Sequence, residues 1–104
     1  MDKIEERIAK ATIKALLGAG YSISVWEGEA YAVHDGWTAV QATDPDMIFK
    51  ALASTEQDIL YAIDGAGKRV GLVWFVWGNG EDLIADCSES VEPLVDRIIQ
   101  GEFA

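Results

Sequence analysis

Ile59-Leu60-Tyr61-Ala62-Ile63-Asp64-Gly65-Ala66-Gly67-Lys68-Arg69-Val70-Gly71-Leu72-Val73-Trp74-Phe75-Val76-Trp77 is the stretch that decides the fold. Two apolar runs rich in β-branched and aromatic residues flank Asp64-Gly65-Ala66-Gly67, whose aspartate and glycines suit a hairpin loop. They read as a strand over Ile59–Ile63 and a long strand over Arg69–Trp77. In the long strand Val70, Leu72, Trp74 and Val76 alternate with Gly71, Val73, Phe75 and Trp77, so both faces are apolar. Such a strand belongs at the centre of a sheet. Either both faces are buried, or helices cover one side and an aromatic set stays open on the other as a binding patch. Trp26, Tyr31 and Trp37 would extend that patch. Lys68 and Arg69, at the strand's start, fit gatekeepers against aggregation.

Working outward, Gly78-Asn79-Gly80-Glu81 turns the chain into a strand over Leu83–Cys87. Val91, Leu94, Val95, Ile98 and Ile99 then repeat at helical spacing, with Ser88 or Ser90 as the cap. Before the hairpin, Asp44 caps a helix that Pro45 opens, and Met47, Ile48, Ala51 and Leu52 give it an apolar face through about Ala53. Earlier still, Ser22–Glu27 reads as a strand, Glu27-Gly28-Glu29 as a turn and Ala30–Val33 as the returning strand. Asp35-Gly36 is a turn or a bulge before Trp37–Gln41. Residues 3–17 form the first helix, with Ile4, Ile8, Ala11, Ala15 and Leu16 on one stripe, and Gly18 and Gly20 stop it. The order is α-β-β-α-β-β-β-α with short connections. The expected fold is a single α+β domain, an antiparallel sheet of about five strands with helices on one face.

Composition agrees with one folded domain. The chain has 104 residues, half of them hydrophobic, with four Trp, three Tyr and three Phe. Disordered acidic segments are poor in such residues. Cys87 is the only cysteine, so no internal disulfide forms, which fits a reducing compartment. The N-terminus lacks the apolar core of a signal peptide, and the longest apolar run, Val70–Trp77, is too short to span a bilayer. The expected location is the cytoplasm of a bacterial host.

Charge is the strongest functional clue. Residues 1–14 set Lys3, Arg7, Lys10 and Lys14 against Asp2, Glu5 and Glu6, a net of +1; residues 15–104 carry −11, and together they give the chain's −10. No Lys or Arg occurs between Lys14 and Lys50. Such a field repels nucleic acid and anionic membranes and attracts basic surfaces.

Chemistry-bearing motifs are weak by comparison. His34 is the sole histidine, and Asp35 points to the opposite side of a strand from it. Cys87 lies beside Asp86 in an apolar strand, near the start of the last helix but with no base in its sequence context. Gly65-Ala66-Gly67-Lys68-Arg69 lacks the earlier glycine, the Ser or Thr and the following helix of a phosphate loop. Gly18-Ala19-Gly20 has a helix before it and a strand after it, the reverse of a dinucleotide site. Asn79, Glu81, Asp82 and Asp86, or Asp44 and Asp46, offer calcium-type oxygens without the spacing of a calcium loop. Zinc would need His and Cys ligands that the chain lacks. With 18 acids, no carboxylate pair singles itself out for glycoside chemistry. The expectation is no catalytic, metal or cofactor site.

The acids themselves have two readings, solubility alone or imitation of nucleic-acid phosphates. Imitation needs carboxylates spread along a face. Glu27, Glu29, Asp35, Asp44 and Asp46 fall in turns and caps; Glu81, Asp82, Asp86, Glu89, Glu92 and Asp96 fall along the last hairpin and helix. Glu92 and Asp96 share a helical face.

Ala19-Gly20-Tyr21-Ser22-Ile23-Ser24-Val25, Glu27-Gly28-Glu29, Gly71-Leu72-Val73-Trp74-Phe75-Val76-Trp77-Gly78-Asn79 and Leu83-Ile84-Ala85-Asp86 resemble short acidic proteins carried by phages, plasmids and bacterial genomes. The resemblance covers roughly residues 10–100 and rests on strand and turn patterns, so it specifies a fold more than an activity. Small acidic proteins of mobile elements are often similar to anti-CRISPR or anti-restriction inhibitors, many of which block a nucleic-acid-binding groove. The expected function is therefore a non-enzymatic inhibitor, a monomer or weak homodimer. It would bind a basic protein surface of a nucleic-acid-processing complex, without touching nucleic acid or membrane itself. Glu27, Glu29, Asp35, Glu81, Asp82, Asp86, Glu89, Glu92 and Asp96 would supply charge, and Trp37 and Trp77 packed anchors. The alternatives are an interaction module using an exposed aromatic sheet face, or a small ligand-binding domain or enzyme with His34 or Cys87 in a deep pocket.

Overall fold

A computed structural model describes residues 2–26, 42–53 and 56–101, together with the backbone of 34–35 and 38–39. Helix α1 runs Lys3–Gly18. It starts where the Asp2 carboxylate accepts from the Glu5 N–H at 2.8 Å, satisfying one of the amides a helix start leaves open. It ends in a paired closure: the N–H of Tyr21 reaches the Leu16 carbonyl and that of Gly20 the Leu17 carbonyl. That closure places Gly20 at φ +94°, a conformation glycine adopts without a Cβ clash. Gly20 is thus the stop, while Gly18 is still helical. The buried stripe is Ile8, Ala9, Thr12, Ile13 and Leu16, rotated from the expected one. Ile4 stays 37% exposed, and Ala11 and Ala15 are half-buried on the side that borders the last helix. Alanine and threonine carry little hydrophobic signal, so periodicity alone weighted the wrong flank.

The main sheet has four antiparallel strands in the order β1 (Ser22–Trp26), β4 (Gln57–Ile63), β5 (Arg69–Val76) and β6 (Ile84–Cys87). The short strands β2 (His34–Asp35) and β3 (Thr38–Ala39) pair with each other in a separate ladder. Among the described residues the sheet has four strands, where about five were expected for the whole chain. The Ala30–Val33 strand, the Glu27-Gly28-Glu29 turn and residues 36–37 lie outside the described residues. Beyond β1, Ala42 forms an isolated antiparallel bridge to Ile23.

The deciding hairpin is present, with β4 starting two residues earlier than expected, β5 ending one residue sooner, and a register shift at Ala62–Ile63. The Asp64 carboxylate accepts from the N–H groups of Ala66 and Lys68, both at 2.9 Å, and β4 pairs with β5 from Gln57↔Val76 to Tyr61↔Leu72 and beyond. β5 lies inside the sheet, between β4 and β6.

Helix α2 (Pro45–Lys50) begins with Asp44 accepting from the Asp46 and Met47 amides. It ends three residues earlier than its apolar face suggested. Ala53 turns to φ +62° and gives its N–H to the Asp58 carboxylate at 2.8 Å. The acceptor from β4 draws the chain out of the helix.

Helix α3 (Glu92–Ile99) follows a single 3₁₀ turn, Glu89–Val91. Neither serine caps it. The Ser88 hydroxyl accepts from the Leu72 N–H at 2.9 Å, and the Ser90 hydroxyl donates to the Val70 carbonyl at 2.6 Å. Both bind the turn to β5 instead. They reach it because Gly71 has no side chain: a Cβ there would stand 2.7 Å from Ser90 Oγ and 2.9 Å from Val91 Cγ1.

One core joins Ile13 and Leu16 of α1, Ile48 of α2, and Val95 of α3 to Ile23, Val25, Leu60, Val73 and Phe75 of the sheet. These sheet residues sit on one face, since successive strand residues alternate. All three helices thus cover the same side. On the other side Ile59, Tyr61, Leu72 and Val76 are half-exposed and Trp74 is 36% exposed.

Candidate functional site

The acids divide by what holds them. Asp2, Asp44 and Asp64 cap or brace turns. Glu6 pairs with Lys10 at 2.9 Å, the one ion pair among the described residues. Glu5, only 3% exposed, accepts from the Gly78 N–H at 2.8 Å and so ties α1 to the end of the long strand. Asp58, fully buried, accepts from Ala53 and from the Trp77 indole N–H at 2.6 Å. These carboxylates serve the fold.

Glu81, Asp82, Asp86, Glu89, Glu92 and Asp96 serve it far less. All six are exposed, and none forms an ion pair among the described residues. Their backbone positions are nevertheless well fixed. Glu81 and Asp82 occupy a 3₁₀ turn closed by Leu83, which is fully buried; Glu89 precedes buried Val91; Glu92 and Asp96 flank buried Val95. The apolar neighbours anchor each segment, and the acids take the solvent side by alternation or helical period.

Three of them bear on Cys87. Its thiol is held above its ordinary pKa, first by burial and then by the negative charges of Glu92, Asp86 and Asp96. A nucleophilic cysteine needs the opposite field. We expect Cys87 to alkylate slowly at pH 8. Replacing Glu92 and Asp96 by Gln and Asn lowers the thiol pKa, raises the thiolate fraction and speeds alkylation at that pH. An unchanged rate would place the carboxylates too far away to share a field.

The aromatic anchors need one revision. Trp77, expected among the contact residues, packs against the core: its ring meets Phe75 edge to face, with centroids 5.6 Å apart, and its N–H is bound to Asp58. Trp74 lies on the open face and its indole N–H donates to Gln57 Oε1 at 2.9 Å; half-buried Trp26 is on the same face, paired with Ile59, which pairs in turn with Trp74. Beside it Arg69 stacks its guanidinium 3.6 Å from the Tyr61 ring centre. Glu27, Glu29 and Trp37 lie outside the described residues, as does the side chain of Asp35, whose backbone pairs with Thr38. The signal for Trp74 was present in the alternation of β5, but both alternating sets contain a tryptophan.

Other surfaces carry different chemistry. A cleft of about 430 Å³ between α1 and α3 includes Lys14 and Arg97 in its lining, and one of about 680 Å³ between α1 and α2 includes Lys10, Lys14 and Phe49. Cys87 lines neither. Among the described residues no three His, Cys, Asp or Glu side chains converge as a metal site, and no helix is long and apolar enough to cross a membrane. The Asn79 amide, considered as a calcium ligand, donates to the Val76 carbonyl. Comparison with known families, with curated proteins and with solved structures finds no match for this chain.

Proposed function

We propose that the protein is a non-enzymatic inhibitor that lays the carboxylates of β6, its flanking turns and α3 into a basic, nucleic-acid-binding surface of another protein. One observation carries the reading: six exposed acids over residues 81–96, fixed on packed backbone, with no cation paired to them among the described residues. Acids kept only for solubility have no need of a rigid common mounting. Glu92 and Asp96, one helical turn apart, are separated by about 6 Å along the axis, close to two steps of a DNA strand at ~3.4 Å each.

Immobilised protein incubated with bacterial lysate tests it. Bound proteins should be nucleic-acid binders, released by 0.5 M salt and by duplex DNA added as competitor. Retention that survives both treatments would overturn the reading and favour a module that binds through its apolar sheet face.

A further inference from the structure

Trp74 and Asp86 are cross-strand partners between β5 and the edge strand β6, at the point where the register shifts between Trp74 and Phe75 and leaves Ala85 unpaired. Paired residues share a face, and an irregularity of this kind bends the edge strand beside the pair. Asp86 therefore joins the aromatic open face, on the side of the sheet away from the helices. Trp74 exposes its ring while Gln57 fixes the indole by its N–H. One Asp86 oxygen accepts from the Cys87 N–H at 2.8 Å, which orients the carboxylate; the other makes no hydrogen bond among the described residues. Asp86 is exposed and lies on the outermost strand of the sheet, open to approach from the side.

We propose that Trp74 and Asp86 form a receptor for an arginine side chain of the basic partner, the guanidinium stacking on the indole while it bonds the carboxylate. This deepens the inhibitor reading and rests on it. Two observations select arginine. First, the same sheet face already carries such a contact, Arg69 on Tyr61, and Tyr61 lies opposite Leu72, two residues from Trp74. Second, an exposed ring and an exposed carboxylate on one face of the sheet suit a planar donor that can stack and bond at once, which an ammonium cannot do as well. The charge of the chain, −10, supplies the complementarity that brings a cationic segment to this face.

Two eight-residue probes of equal charge decide the matter, one alternating Arg with Gly and the other Lys with Gly. Titration at 0.1 M salt, followed by the Trp74 indole resonance and by calorimetry, should show the Arg peptide binding about five-fold tighter or more. Asp86→Asn, nearly isosteric and at the surface, should reduce the preference to within about two-fold, as should Trp74→Leu; Glu6→Gln, on α1 and outside the proposed contact residues, should keep it. Equal binding of the two peptides, or a preference that survives Asp86→Asn, overturns the arginine receptor and leaves the inhibitor reading standing. If neither peptide binds, both fall.

Discussion

Changing Glu81, Asp82, Glu92 and Asp96 together to their amides should weaken binding to the basic partner by about ten- to several-hundred-fold at 0.1 M salt. Each exposed charge alone contributes little, because water screens it and its side chain loses freedom on pairing. Four acting on one cationic surface add up, and they act mainly through the association rate. The loss should shrink as salt rises, since the screening length falls from about 10 Å at 0.1 M to about 3 Å at 1 M. Stability should move the other way. The four acids have no cationic partner among the described residues, so their removal relieves repulsion. Glu92 alone works against that gain, because it stands at the start of α3, where a negative charge suits the helix dipole. Thermal melts and stopped-flow binding check both halves. An affinity and salt slope equal to those of the native protein would end the inhibitor reading; a lower melting temperature would show that these acids serve the fold after all.

The separation between acids that serve the fold and acids that do not was only partly legible in the sequence. Caps and hairpins are local, so Asp44, Pro45 and the Asp64 turn could be read from a few adjacent residues. Glu92 and Asp96 follow from helical period, given the apolar stripe beside them. Asp58 and Glu5 could not be read. Each is buried by a partner distant in the chain, Trp77 for one and Gly78 for the other, and sequence proximity carries no trace of that pairing. The assignment of Trp74 to the open face and Trp77 to the core failed to show for a related reason. Strand alternation separates the two sets, but which set the helices cover is settled by how three helices pack around Phe75 and Leu60. The rotated stripe of α1 shows the same limit, because Ala9 and Thr12 are buried by shape rather than by hydrophobicity. Ser88 and Ser90 read as caps because serine before a helix usually is one. Their real partners, Leu72 and Val70, are set by the glycine between those two residues.

Gly71→Val should cost about 3 kcal/mol, at the upper end for a side chain forced into packed space, and lower the melting temperature by about 12–24 °C. The reason is the close approach of the 88–91 turn to β5. A Cβ at residue 71 would lie 2.7 Å from Ser90 Oγ, 2.9 Å from Val91 Cγ1 and 3.0 Å from Ser88 Oγ. None of these atoms can withdraw freely. Ser90 Oγ is held to the Val70 carbonyl at 2.6 Å, Ser88 Oγ takes the Leu72 N–H, and Val91 is fully buried. A side chain at 71 must therefore break both hydrogen bonds or lift the turn off the sheet, and α3 follows the turn without a break. Lifting it displaces Glu89, Glu92 and Asp96 relative to Asp86. The substitution should thus weaken partner binding even where the variant remains folded, and Gly71→Ala should do both to a smaller degree. Gly65→Ala is the control: a Cβ there meets nothing within 4 Å, so melting and binding should stay near native values. Circular dichroism melts of the three variants, with amide exchange at Leu72, give the answer. A Gly71→Val protein that melts within about 2 °C of the native chain, well under the shift for 1 kcal/mol, would show that the turn does not rest on the strand and that the acids of α3 are not held by it.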